Sequence, residues 1–180
     1  MDAGVFFKPD GVIGRLIFRV TQKLAEKIKV VPALALPPQD SPFLDWTANL
    51  FMVSRWQCIL LTNSKSLYSV VLPGKGVSNE QAFVEQSMKS LRDNMALDGI
   101  VSIFDTRIAP VLDLVSLCKA SDRGVLASMN QLVYQAKCDL IEMGHPLPLV
   151  NQRLNRIPMS KLKYHYSVEE FAALAIRSRA

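Results

Sequence analysis

Three short apolar runs, at residues 49–53, 57–62 and 67–72, are separated only by Ser54-Arg55-Trp56 and by Asn63-Ser64-Lys65-Ser66. Links this short cannot carry the crossover that a parallel pair needs, so consecutive runs must lie antiparallel, as a three-strand meander. Both faces of the runs are apolar, which places the meander at the centre of a covered sheet. Taking Arg55-Trp56 as a two-residue turn sets Ser54 opposite Gln57 and Asn49 opposite Thr62.

The surrounding periodicities supply the covering layers. Leu16, Phe18 and Val20 alternate with Arg15, Ile17 and Arg19, as in a strand with one buried and one partly wetted face. Thr21 then caps a short helix with Leu24, Ala25 and Ile28 inward. Residues 31–42 hold four prolines and read as an extended connector. After Pro73-Gly74-Lys75-Gly76, Ser78 and Gln81 form a capping box before a helix bearing Val84, Met88, Leu91 and Met95, which Asp98-Gly99 ends.

Residues 111–118 fit either a strand or a helix face, and the strand is chosen. Ser121 or Asp122 caps a further helix with Met129, Leu132, Val133, Ala136, Leu140 and Met143 as its stripe, ending at Gly144. Residues 150–155 read as extended. Ser167 to Glu170 resemble a capping box opening a last helix with Phe171, Leu174 and Ala175 inward. The expected fold is therefore α+β: an antiparallel sheet packed by three to four helices. One domain spanning residues 1–180 is expected, with residues 1–11 as a possible N-terminal extension.

Composition narrows the function classes. With 49% hydrophobic and 21% charged residues the chain is too apolar for disorder, and no uncharged run approaches the ~20 residues of a bilayer span. No membrane association is expected. Cys58, Cys118 and Cys138 are an odd, widely spaced set inside apolar segments, as for reduced thiols in a cytoplasmic protein. His145 and His165 lack neighbours at ligand spacing, so neither a metal nor a cofactor is expected.

Several segments, in order, carry a resemblance: Thr21-Gln22-Lys23-Leu24, Trp46-Thr47-Ala48-Asn49-Leu50, Leu61-Thr62-Asn63-Ser64 running on to Ser66-Leu67-Tyr68-Ser69-Val70-Val71, Ser128-Met129-Asn130, and Leu154-Asn155 before Pro158. The series resembles a family of uncharacterised bacterial proteins, a domain of unknown function of about this length. The resemblance implies a bacterial, cytoplasmic protein, of a kind often carried on mobile elements such as integron cassettes. It supplies no catalytic residue.

Candidate sites follow from the residues themselves. The expected register gathers Asn49, Asn63 and Ser64 at one sheet rim beside Trp46, a set of neutral donors and acceptors with an aromatic platform for a small polar ligand. The same residues serve equally a self-satisfied turn and a core plug, and that plainer reading is favoured. Ser128 and Asn130, on the helix after Asp122, line either that rim or solvent. Gly74-Lys75-Gly76 has the parts of an anion cradle but lacks the full phosphate-loop pattern, so a strand-to-helix turn is preferred.

Both chain ends are basic: residues 1–29 carry six bases against three acids, and residues 151–180 carry six against two. Arg15, Arg19 and Lys23 with Arg153, Arg156, Lys161 and Lys163 form a candidate basic patch for weak, non-specific nucleic-acid binding. An enzyme is the minority expectation, with Asp113, Asp122, Arg123 and His145 as its candidate members. The leading expectation is a non-catalytic binding or interaction protein, acting as a homodimer and taking a small polar ligand or a protein partner, through the rim or through apolar Tyr- and Met-bearing surface left over from packing.

Overall fold

The computed structural model describes residues 14–34 and 36–178, so the expected N-terminal extension lies outside the described residues. Five strands, β1 (Leu16–Val20), β2 (Asp45–Val53), β3 (Trp56–Asn63), β4 (Ser69–Pro73) and β5 (Val115–Lys119), form one sheet in the order β4-β3-β2-β1-β5. The meander β2-β3-β4 is antiparallel as expected, but β1 runs parallel to both β2 and β5. The sheet is therefore mixed rather than antiparallel, and the meander occupies one side of it rather than the centre. Parallel pairing is possible because a helix and the proline-rich connector separate β1 from β2, and a longer helical excursion separates β4 from β5.

Among the described residues six α-helices, rather than the three to four expected, accompany the sheet: α1 (Gln22–Lys27), α2 (Glu80–Leu97), α3 (Val101–Ile103), α4 (Arg123–Lys137), α5 (Leu147–Leu154) and α6 (Ser167–Arg177). Side chains alternate across each strand. One face, with Phe18, Trp46, Ile59, Leu61 and Val70, packs on Leu24 of α1, Phe83 and Leu91 of α2 and Phe171 of α6. The other, with Phe51, Val53, Leu60 and Val71, packs on Val125, Met129 and Leu132 of α4 and on Val150 and Leu154 of α5. Since both faces are covered, β1 is buried along its whole length. The half-wetted strand expected from Arg15 and Arg19 is corrected accordingly: Ile17 is as buried as Phe18, and Arg19 is held inside by Asp45.

The hairpin register also differs. Val53 pairs with Trp56, Thr47 with Thr62 and Asn49 with Leu60, so the turn is Ser54-Arg55 and Trp56 belongs to β3. Ser54 has φ +52°, the positive value at the first turn position that two-residue hairpin loops require. Residues 111–118 divide: Ala109–Val111 is a 3-10 turn, and the strand begins at Val115. Residues 150–155, expected to be extended, lie instead in and just after α5, where a proline in the first turn is compatible with helix initiation. Asn79 rather than Ser78 caps α2, its side chain accepting from the Ala82 amide. Asp122 caps α4 as expected. Ser167 is the first residue of α6 rather than its cap, and its hydroxyl is directed to Asn155.

Both sheet edges are at least partly covered. On β4, the side-chain amides of Asn151 and Asn155, one helical turn apart on α5, take the place of a further strand. Asn155 accepts from the Ser69 amide at 2.7 Å and donates to its carbonyl at 2.8 Å, while Asn151 does the same to Val71 at 2.7 and 3.2 Å. On β5, Ala33 of the connector forms a parallel bridge to Cys118. An exposed edge would present unpaired backbone groups to another chain; the asparagines occupy those of Ser69 and Val71, and Ala33 occupies the Leu117 carbonyl and the Lys119 amide.

Candidate functional site

The rim residues anticipated around the meander are drawn into internal hydrogen bonds. Asn63 is fully buried: its amide nitrogen donates to the Pro42 carbonyl at 2.8 Å, and its oxygen accepts from the backbone and hydroxyl of Ser66. Trp46 is likewise buried, with Nε1 donating to the Phe43 carbonyl and its ring against Phe171. Asn49 is half-buried and receives the Thr21 hydroxyl. Ser128 returns its hydroxyl to the Gly124 carbonyl one turn earlier, while Asn130 is exposed. The structure thus separates Ser128 and Asn130 by orientation and makes Asn63 and Trp46 parts of the turn and the core.

Ser64 belongs to a polar depression of about 570 Å³ whose floor holds Arg19 and Asp45. Register explains the meeting, because Ile17 faces Asp45 and Arg19 faces Thr47 across the parallel pair, so all four share one face. The guanidinium forms two parallel bonds to the carboxylate, Nε to Oδ1 at 2.8 Å and Nη2 to Oδ2 at 2.7 Å, and also donates to the carbonyls of Leu36 and Pro37. Asp45 accepts further from Ser64 and from the Gln39 amide. The bond to Asp45 raises the Arg19 pKa above its ordinary value against the opposing effect of burial. Every donor nitrogen of Arg19 is engaged, so the pair fastens the proline-rich connector to the sheet. Asp122, at the same depression, is held below the ordinary carboxylate range by the Val125 amide that it caps, with Lys161 adding to the effect.

The candidate basic residues do not form one free cationic face. Arg19 is paired as above, Arg153 lies 3.2 Å from the buried Asp139, Arg156 2.9 Å from the buried Asp98, and Lys161 3.5 Å from Asp122. Arg15 is exposed and donates to Ser116, and Lys23 and Lys163 are exposed. Arg156 and Asp98 extend to Tyr68, whose hydroxyl donates to Asp98 at 2.7 Å. Burial, followed by the Asp98 charge, pushes the Tyr68 pKa far up. His145 faces Asp139 at 3.9 Å, while Asp113 and Arg123 are exposed. Among the described residues no group of three or more His, Cys, Asp or Glu is placed to hold a metal ion, and no helix is long and apolar enough to cross a membrane.

A different feature, absent from the candidate residues, is a concave groove of about 1080 Å³ at the hairpin end of the sheet. Its walls are the β2-β3 turn, the Pro73 to Ser78 turn and the segment that follows α4, with Leu140, Ile141 and Leu147. Trp56 is 68% exposed on it, Met52 45% and Ile141 54%. The turn that sets its shape is tight: Gly74 packs so closely on Gln57 that a Cβ there would sit 3.0 Å from the Gln57 carbonyl oxygen, and its amide donates to that oxygen at 2.7 Å. The sequence carried one signal for this groove, namely large apolar residues, Met52 and Trp56, flanking a hairpin turn where polar ones are usual. Reading Trp56 as a turn residue concealed it.

Fold and surface together define a class: an α+β protein built on one mixed five-strand sheet, with Trp46 and Asn63 of the expected rim turned inward and an apolar concavity open to solvent at the hairpin end. Within that class, a family model for a domain of unknown function (DUF6933) matches residues 17–170, and the chain belongs to this family. No curated protein and no solved structure matches the chain.

Proposed function

We propose that this protein works by binding rather than by chemistry, and that the groove at the hairpin end is its contact surface for a segment of another macromolecule. The observation that supports this is the exposure of Trp56, Met52 and Ile141 together on one concave site. Clustered apolar exposure of this kind costs solubility and is commonest where a partner covers it. An aromatic anchor beside aliphatic walls is the composition that carries most binding energy in interfaces.

The homodimer expected from the sequence belongs among these proposals, and light scattering at micromolar concentration tests it. The groove itself is tested by tryptophan emission, because the chain has two tryptophans and only Trp56 is exposed. A tryptophan-free amphipathic peptide with a leucine stripe at helical spacing and a neutral polar face should shift the Trp56 emission to the blue, and Ile141→Ser should weaken the effect. No shift with this peptide or with versions bearing acidic or basic polar faces, at concentrations up to about 1 mM, where affinity has fallen to ~4 kcal/mol, refutes the proposal.

A further inference from the structure

We infer that the occupant of the groove is an acidic amphipathic segment of a partner protein, with large apolar side chains on one side and carboxylates along its flanks. This inference rests on the groove being the contact surface, and adds the chemistry of what it takes. Three cations from three separate elements line the concavity: Lys27 at the end of α1, Arg55 in the hairpin turn and Lys75 in the turn before α2. No carboxylate is among the described lining residues. Arg55 and Lys75 are exposed, Lys27 donates only to the neutral Gln57 amide, and none of the three joins an ion pair among the described residues. This contrasts with Arg19, Arg153 and Arg156, each of which has a carboxylate partner.

An apolar floor inside a cationic border complements a segment with the opposite charge and the same apolar face, the pattern by which amphipathic helices are taken into grooves. A second copy of this chain fits less well, since a two-fold contact through this face would bring both sets of Lys27, Arg55 and Lys75 together. Single-stranded nucleic acid also fits less well: the walls around Trp56 are aliphatic, with Val53, Leu140 and Leu147, where such grooves use several stacking aromatics along a polar track.

The test uses the full chain and three tryptophan-free peptides of about 18 residues, five helical turns, that share one leucine stripe and differ only in a glutamate, neutral or lysine polar face. Binding is followed by Trp56 emission and by the anisotropy of labelled peptide, with a labelled oligothymidylate as a fourth probe. The glutamate peptide should bind on the order of tenfold more tightly than the neutral one, and the lysine peptide on the order of tenfold more weakly, with the difference shrinking as salt rises.

The triple variant Lys27→Glu, Arg55→Glu, Lys75→Glu should invert that order. The same reversals at Arg15, Lys119 and Lys163, which are exposed and do not line the groove, should leave it unchanged. Far-UV circular dichroism of both variants establishes that they fold. Equal binding of all three peptides leaves the groove as a contact surface and overturns the acidic partner. No emission change with any probe overturns both readings. Tighter binding of the oligothymidylate than of the glutamate peptide at physiological salt overturns the inference in favour of nucleic acid.

Discussion

Replacing Asn155 by alanine should be among the most damaging single changes in this chain, although it removes only a small polar side chain. The Asn155 side chain makes four contacts in a fully buried site: it accepts from the Ser69 amide at 2.7 Å and the Ser167 hydroxyl at 3.1 Å, and donates to the carbonyls of Ser69 at 2.8 Å and Asn151 at 3.1 Å. Alanine leaves the amide and carbonyl of Ser69 without these partners, in a residue that is itself fully buried. A buried polar group stranded in this way costs about 1–3 kcal/mol, so two give roughly 2–6 kcal/mol. Water entering the vacated space would satisfy part of the demand, and about 3 kcal/mol is expected, a large share of the ~5–15 kcal/mol that holds a typical domain.

The assay is urea unfolding followed by far-UV circular dichroism, paired with amide hydrogen exchange at Ser69 and Val71, whose amides point to Asn155 and Asn151. Asn155→Asp separates the two roles of the amide. A carboxylate can still accept from Ser69 but cannot donate to its carbonyl, so the variant should be the less stable of the two at neutral pH. It should recover as acid protonates it, because a buried carboxyl without a cation has its folded pKa raised and loses stability as pH rises. Loss of less than about 0.5 kcal/mol in Asn155→Ala, or unchanged exchange at Ser69, would refute the view that these asparagines replace a strand.

Three further outcomes follow from the same geometry. Arg19→Met should destabilise by about 3–5 kcal/mol, by leaving Asp45 buried and short of two donors, and the double variant Arg19→Met, Asp45→Leu should cost less than the sum of the single changes in chemical denaturation. Asp122→Ala should cost about 1 kcal/mol at neutral pH through loss of the α4 cap. Since the folded pKa of Asp122 lies below its unfolded value, the gap between wild type and variant should be full above pH ~4 and close as pH falls further, as measured by urea midpoints across pH. Native-state thiol labelling should show one fast cysteine, Cys138, and two slow ones: Cys58 and Cys118 are buried, and burial pushes the Cys58 thiol up, away from the reactive thiolate. Fast labelling of Cys118 would contradict its burial beneath the connector bridge from Ala33.

How far the fold could be read in the sequence depended on whether its cause was local. The meander was legible because short links and apolar runs act within about 25 residues, and α2 and α4 because their apolar stripes repeat at helical spacing. The parallel neighbours were not. Arg19 looks like a solvent-facing residue until Asp45, 26 positions on, supplies its partner, so the double burial of β1 is a tertiary fact with no local mark. The segment 150–155 was misread for a related reason. Asn151 and Asn155 are buried polar residues satisfied by β4, 80 and 86 positions earlier, and they interrupt the apolar pattern that would announce α5. Trp56 was lost by a turn placed one residue late. That shift left the facing of the strands intact but removed from view the aromatic that borders the groove.

The distribution of satisfied and unsatisfied groups bears on what kind of activity this molecule can support. Chemistry requires groups with spare capacity: a base whose lone pair is free, a donor aimed at the place where charge develops. At Arg19, Asp45 and Ser64 in the polar depression that capacity is already used. Arg19 is bound on every nitrogen, Asp45 accepts four bonds, and Ser64 is tied to Asp45 and Thr47. Opening Arg19 to a substrate would first break its buried bonds to Asp45 or those to the carbonyls of Leu36 and Pro37 that hold the connector. The groove is in the opposite condition. Trp56, Met52 and Ile141 expose apolar surface there, and Arg55 and Lys75 join no ion pair among the described residues. At ~25 cal/mol per Å² of apolar surface removed from water, the gain from covering this site is available to any segment of matching shape and charge. The proposed association at the groove therefore needs no buried charge pair to be broken, whereas a ligand reaching Arg19 or Asp45 would have to break one.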